Sequence, residues 1–355
     1  MRMNARSGTY AILAVNPVWW VVSAFYLFLT STALVNYKNF PFGSLNFFTL
    51  VWIGTALTAA HCLLNLKTFR EYFSLRRWRD IPRFLCADMS HYLPYLLMAG
   101  LYDNIPLFHD TARLRFNNLD YSLLRADEMI FGVQPTIFLQ DYLNPYLVEY
   151  SMIMYSFFVL PYLFLVYLFQ KRESTLFSKL LLAHVIASIV ALTCFIYLPA
   201  KGPRFVFDTA GSRLYENLPQ FKNGINGVRI DSLYRATGYE SLYRLQYDAW
   251  NNLERVKTDC MPSMHAALYL ICIIIAVRYR KIMKWKRLAT GFWITSGVSM
   301  LFSCIYLRYH WVIDIIAGIV VAFFSYSAAE LIIERWLHTR ELASARNKQL
   351  VSASG

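Results

Sequence analysis

Two histidines and an aspartate carry the chemistry that this sequence offers. His310 and Asp314 stand four residues apart in the run Tyr306-Leu307-Arg308-Tyr309-His310-Trp311-Val312-Ile313-Asp314. On a helix that spacing puts both on one face. The carboxylate accepts a hydrogen bond from the proton-bearing ring nitrogen of His310, which fixes the tautomer and leaves the other nitrogen as a nucleophile. His265 follows Cys260-Met261-Pro262-Ser263-Met264, and proline and serine are expected where a helix starts. From there it can protonate a leaving oxygen and then take a proton from an incoming acceptor. The run Pro199-Ala200-Lys201-Gly202-Pro203-Arg204 adds cations. Lys201, Arg204 and Arg308 are suited to phosphoryl oxygens, and Ser263 and its helix N-terminus add donors. The scheme needs neither metal nor cofactor.

Each cluster has a plainer reading when taken alone. A proline and serine cap many helices without function, and a His and Asp four apart often form a structural hydrogen bond. Lys201, Arg204 and Arg308 sit near span ends, where basic side chains snorkel to the membrane surface. Asp314, however, lies inside an apolar run, where an ionisable group is costly and usually functional.

The elements that must position these residues are membrane spans. The 355-residue chain is 57% hydrophobic and only 16% charged, with a mean hydropathy of +0.35. Its charge content falls well below the roughly 25% of a soluble domain. Eight apolar stretches qualify as spans: 17–36, 45–66, 84–101, 146–169, 176–199, 262–277, 288–307 and 311–332. The third is interrupted by Asp88, His91 and Pro94, and reads either as a tilted helix or as a re-entrant segment. The expected fold class is therefore all-α, a polytopic bundle of about eight transmembrane helices. The division expected is 1–145 for N-terminal helices and an outward segment, 146–335 for a catalytic core, and 336–355 for a polar, frayed cytoplasmic tail.

With the N-terminus inside, the inward segments hold 20 of the 35 Lys and Arg, concentrated in Arg76-Arg77-Trp78-Arg79 and in 278–287. The positive-inside rule then puts both termini in the cytoplasm. The fifth span ends on the outer face, the sixth begins there, and the seventh returns to it. All three clusters reach one outward surface, so the topology makes them one site. The net charge of +13 belongs to these loops, and no nucleic-acid motif accompanies it.

Other residues are less telling. No cysteine pair among the six has metal-ligand spacing, so neither zinc nor a disulfide framework is expected. His61 and His184 read as core histidines, while Asp88 and His91 pair with each other or line a groove. The N-terminal apolar run is long enough to span and lacks a small-residue cleavage site, which reads as a retained helix. The stretch 205–261, with seven Lys and Arg from Arg213 to Lys257, is either a cap that reads a headgroup or a solvated loop.

The clusters resemble the signature of the type-2 phosphatidic acid phosphatase superfamily, which is all-helical. Its site combines a Lys/Arg motif, a Pro-Ser-x-His motif and a final motif ending in His-x-x-x-Asp. The resemblance implies a six-helix catalytic core, with His310 becoming a phosphohistidine, Asp314 assisting it and His265 as the acid and base. It also implies phosphate binding by Lys201, Arg204 and Ser263. Two departures stand out. Only Gly202-Pro203 separates Lys201 from Arg204 where six residues are usual, and Ser303-Cys304 replaces a Ser-Arg pair. Arg308 is the candidate replacement. These departures, Tyr306-Leu307-Arg308-Tyr309-His310 and Asp127 through Pro135 are similar to the inositol phosphorylceramide synthase-like branch, which moves phospho-headgroups between lipids. The implied substrate is a membrane lipid, with a lipid alcohol (transferase) or water (phosphatase) as acceptor. A transporter or non-catalytic scaffold is the remote alternative. Neither the lipid nor the oligomeric state follows from the sequence.

Overall fold

The computed structural model describes residues 17–36, 45, 48–75, 78–111, 119–206, 233, 236–237, 241–245, 256–283 and 285–353. Most of the 205–261 stretch, and with it the reading of a headgroup cap, lies outside them. So do residues 1–16 and the whole 112–118 connection.

The protein is an all-α membrane bundle. Its apolar helices are α1 (Pro17–Asn36), α2 (Phe48–Leu64), a broken pair α3 (Ile81–Met89) and α4 (Leu93–Tyr102), α5 (Pro145–Ser156) continued by α6 (Leu160–Gln170), α7 (Ser174–Tyr197), α8 (Met264–Arg278), α9 (Lys286–Tyr306) and α10 (Val312–Ala353). Four segments are long and apolar enough to cross a bilayer outright: 145–170, 174–197, 286–306 and 312–345. The interrupted third stretch is two helices, broken at Ser90-His91-Tyr92. Pro94 falls in the first turn of α4, where its missing N–H costs nothing. The eighth stretch does not stop at 332, and the tail is not a frayed strand of coil. Helix α10 runs on to Ala353 because Glu341 through Leu350 consists largely of good helix formers.

Helix α7 is the centre. It is buried on nearly every face from Leu176 to Ile196 and touches α1, α4, α6, α8 and α10. A helix apolar all round can only be buried this way. At its start Lys179 lies among Glu330 (3.1 Å), Glu334 (2.7 Å) and the Tyr279 hydroxyl (3.1 Å), which balances a charge that would otherwise be prohibitive. His61 lies 3.0 Å from Asp88 and 2.9 Å from Gln170. Asp88 thus pairs with His61, while the His91 ring rests on Phe169 at 5.1 Å. His184 is buried, 3.7 Å from the Cys272 sulfur.

Candidate active site

The end of α7 opposite Lys179 is where the sequence clusters meet. The segment after α7 runs beside residues 258–260. The Ala200 N–H donates to the Thr258 carbonyl at 3.4 Å, and the Cys260 N–H to the Ala200 carbonyl at 3.1 Å. Two further backbone bonds join the remaining pieces: Arg204 N–H to the Arg308 carbonyl (2.9 Å) and Ser263 N–H to the Asp314 carbonyl (3.0 Å). The chain approaches so closely here that side chains are excluded at two glycines. A Cβ on Gly202 would lie 2.3 Å from the Tyr309 carbonyl oxygen, and one on Gly318 would lie 2.4 Å from that of Ser263.

His265 and His310 face each other, Nδ1 to Nε2 at 3.2 Å. The other nitrogen of His310, Nδ1, lies 3.0 Å from the Cys260 carbonyl oxygen. A carbonyl only accepts, so His310 carries its proton on Nδ1 and keeps a lone pair on Nε2. His265 Nδ1 must then carry the proton shared between the rings. Asp314 is 3.6 Å from His310 Nδ1, close enough for a Coulombic effect but long for a hydrogen bond. The tautomer-fixing acceptor is thus the Cys260 carbonyl rather than the expected carboxylate. Asp314 Oδ2 receives the Trp311 N–H at 3.0 Å and the Cys260 thiol at 2.6 Å. In reaching back to Trp311 it makes the N3-to-N-cap half of a capping box on α10.

Helix α10 has a second support. Asp127 lies on the helix Asp120–Phe131 and is fully buried. Its carboxylate oxygens accept from Val312 N–H and Ile313 N–H, each at 2.8 Å. Trp311 offers no capping oxygen, so Asp127 supplies one from outside. Asp120 on the same helix accepts the Lys201 N–H at 2.6 Å. One short helix therefore holds two of the three clusters, and Gly132, at φ +71°, ends it. Composition did not point to Asp120 or Asp127.

The cations separate. Arg204 lines the cavity in front of the histidines, its guanidinium 4.4 Å from the Tyr309 ring and 4.3 Å from Phe205. Lys201 is held through its backbone, its carbonyl accepting from Trp311 Nε1 at 2.9 Å, and its side chain does not line that cavity. Arg308 is buried and turned toward Gln140, 3.4 Å from Oε1. Its backbone explains its place: at φ +64° it occupies the left-handed position after α9. Tyr309 N–H bonds the Cys304 carbonyl at 2.8 Å and Arg308 N–H that of Ile305 at 3.0 Å, a Schellman turn with arginine where glycine is usual. Ser263 is the N-cap of α8, its hydroxyl accepting from Ala266 N–H at 3.4 Å. The structure thus brings His265, His310, Asp314 and Arg204 together, and gives Lys201, Ser263 and Arg308 framework contacts.

Aromatic rings complete the wall. Tyr155 stacks on Tyr309 at 4.0 Å and sits 4.8 Å from the His265 ring. Cys260, His310 and Asp314 place donor atoms within 4.8 Å of one another, as do His265, Cys304 and His310. In the first group the thiol is a hydrogen-bond donor, whereas a metal would need the thiolate.

These features describe a polytopic all-α integral membrane protein with a paired-histidine site. The chain belongs to the PAP2 superfamily: the model of that family matches residues 122–328, more than half of its length. Membership supports a phosphatase- or phosphotransferase-type enzyme acting on a lipid phosphate. No curated protein and no solved structure matches the chain.

Proposed function

We propose that the protein transfers a phosphoryl or phospho-headgroup unit between lipids through a phosphohistidine on His310, as in the inositol phosphorylceramide synthase-like branch. The observation that carries this reading is the surroundings of the histidine pair. It opens on a cavity of about 500 Å³ lined mainly by apolar and aromatic side chains, a setting that favours a lipid acceptor over water.

In the first half-reaction His310 Nε2 attacks phosphorus and the bond to the leaving oxygen breaks. His265 acts here as the imidazolium: its Nδ1 proton goes to that oxygen, and the neutral ring keeps its hydrogen on Nε2. The His310 imidazole becomes cationic, since its Nδ1 keeps its hydrogen, and the Asp314 carboxylate at 3.6 Å stabilises it. Arg204 takes the phosphoryl oxygens. In the second half an alcohol attacks phosphorus, its proton passes to His265 Nδ1, the P–N bond breaks, and both rings return to their starting state. By the positive-inside argument the site faces outward and both termini are cytoplasmic.

The test is to incubate the purified protein with headgroup- and phosphate-labelled phospholipids, with and without a lipid alcohol. Label recovered in a new lipid supports transfer. Free phosphate or headgroup phosphate alone sinks the transferase reading in favour of the phosphatase.

A further inference from the structure

The cavity reaches well beyond the histidines. Its lining also takes in Trp52 of α2, Tyr95 and Met98 of α4, and Leu192 and Phe195 of α7. Helices α2 and α4 lie outside the 122–328 family match. Two carboxylates line this apolar space, Asp103 and Asp259. Asp103 is occupied by Thr49, through its N–H at 2.6 Å and its hydroxyl. Asp259 stands at the reactive end, one residue before Cys260 and within electrostatic reach of His310 and Arg204. The Tyr102 hydroxyl, at the end of α4, donates to its Oδ2.

A carboxylate beside a phosphate-handling histidine needs a reason. It repels phosphoryl oxygens and so cannot serve as their ligand. It can accept a hydrogen bond from a neutral hydroxyl, and each of its oxygens has more than one lone pair for that purpose. Of the two substrates, the one that must bring a hydroxyl to phosphorus is the acceptor. A chain attached to that hydroxyl would extend along Met98, Tyr95 and Phe195, which suits hydrocarbon.

We propose that Asp259 and Tyr102 form the acceptor subsite, which takes an alcohol carried on a hydrocarbon chain and aims its oxygen at phosphorus on His310. The proposal rests on the transferase reading and names that reaction's second substrate. Asp259 accepts the hydrogen bond and orients the alcohol. It does not keep the proton, which passes to His265 as P–O forms and P–N breaks.

Photolabelling of the full chain in detergent tests this. The probes are a diazirine-bearing long-chain alcohol and its O-methyl ether, which has the same chain but no hydroxyl to donate. Wild-type protein should label with the alcohol about tenfold better than with the ether, the worth of one hydrogen bond to a charged acceptor. Asp259→Asn and Tyr102→Phe should lose most of that preference while still labelling with both probes, which also reports that the cavity is intact. Equal labelling of wild type by alcohol and ether overturns the proposal, as does a preference that both variants keep. A hydroxyl preference without transfer of label to any alcohol overturns the acceptor role through the transferase reading, and is told apart because the photolabelling itself has succeeded.

Discussion

His265 Nδ1 faces His310 Nε2 across 3.2 Å, so in the resting site the proposed acid occupies the lone pair of the proposed nucleophile. In the proposed mechanism substrate separates the two rings before phosphorus is attacked. The same contact orders the proton inventory, since the Cys260 carbonyl holds the other His310 nitrogen in its N–H form.

The two histidines should therefore fail differently. His310→Ala should abolish turnover and the phosphoenzyme together. His265→Ala should still form a phosphoenzyme from an ester with an acidic leaving group, which needs no proton, and then stall. We expect turnover to fall by about 10²–10⁴, the usual contribution of a general acid–base. Acid-labile label trapped on His265→Ala but not on His310→Ala is the expected result. Turnover by His310→Ala would refute the mechanism.

Arg204 and Arg308 should also part company. Arg308 sits at a left-handed backbone position that glycine adopts without strain, and its side chain points to Gln140. Arg308→Gly should fold and retain most of its turnover. Arg204→Ala removes the cation that faces the cavity and should cost about 10²–10³ in rate, as loss of one charge-stabilising donor does elsewhere. Equal losses in the two variants would return Arg308 to the phosphate site.

Asp127 makes a prediction about pH. Burial pushes its carboxyl from the ordinary 3.8 up to about 6. Between those values the folded chain binds more protons than the unfolded one, so this group's contribution to stability falls as pH rises. Asp127→Asn cannot titrate and offers one acceptor oxygen in place of two, at a cost of about 1 kcal/mol in capping. Melting curves in detergent should show a wild-type advantage that shrinks from about pH 4 to pH 7, following the linkage slope. An advantage that grows over that range would contradict the assignment.

Gly318 tests the joint between α8 and α10. A methyl group there would lie 2.4 Å from the Ser263 carbonyl and 2.9 Å from the Ala266 Cβ, so Gly318→Ala must push the helices apart. Overpacking of this kind costs about 1–3 kcal/mol, and a shift of about 1 Å between His265 and His310 can cost 10²-fold in rate. Gly291→Ala on α9, where nothing lies within 4 Å, is the control and should leave activity unchanged.

Charge stabilisation in the scheme comes from Arg204 and Asp314, with no step through a metal. Dialysis against EDTA should leave turnover unchanged. Loss restored by a divalent ion would bring the His, Cys and Asp donors around His310 into the reaction.

Much of this was legible in the sequence because membrane spans are written in composition, and their alternation puts three clusters on one face. The His265–His310 meeting followed from that. The break at Ser90-His91-Tyr92 was signalled by Pro94 and the polar residues around it. Other features left no local signature. Asp127 caps a helix 185 residues away, and nothing in its neighbourhood announces the partner. Arg308 misled in a specific way: an arginine two residues before His310 suggests phosphate, yet the turn ending α9 directs its side chain elsewhere. Tyr102 and Asp259 are 157 residues apart, and only the packing of α4 against the core joins them.

Helix α10 starts at the reaction centre and is 42 residues long, about 63 Å at 1.5 Å per residue. A bilayer with its headgroups is only about 40–45 Å thick. A helix of that length running along the bilayer normal exceeds the membrane by roughly 20 Å. A fusion partner or antibody epitope grafted at its far end would share one helix with Asp314, which gives small-particle imaging a fiducial joined to the histidine-pair end of the molecule.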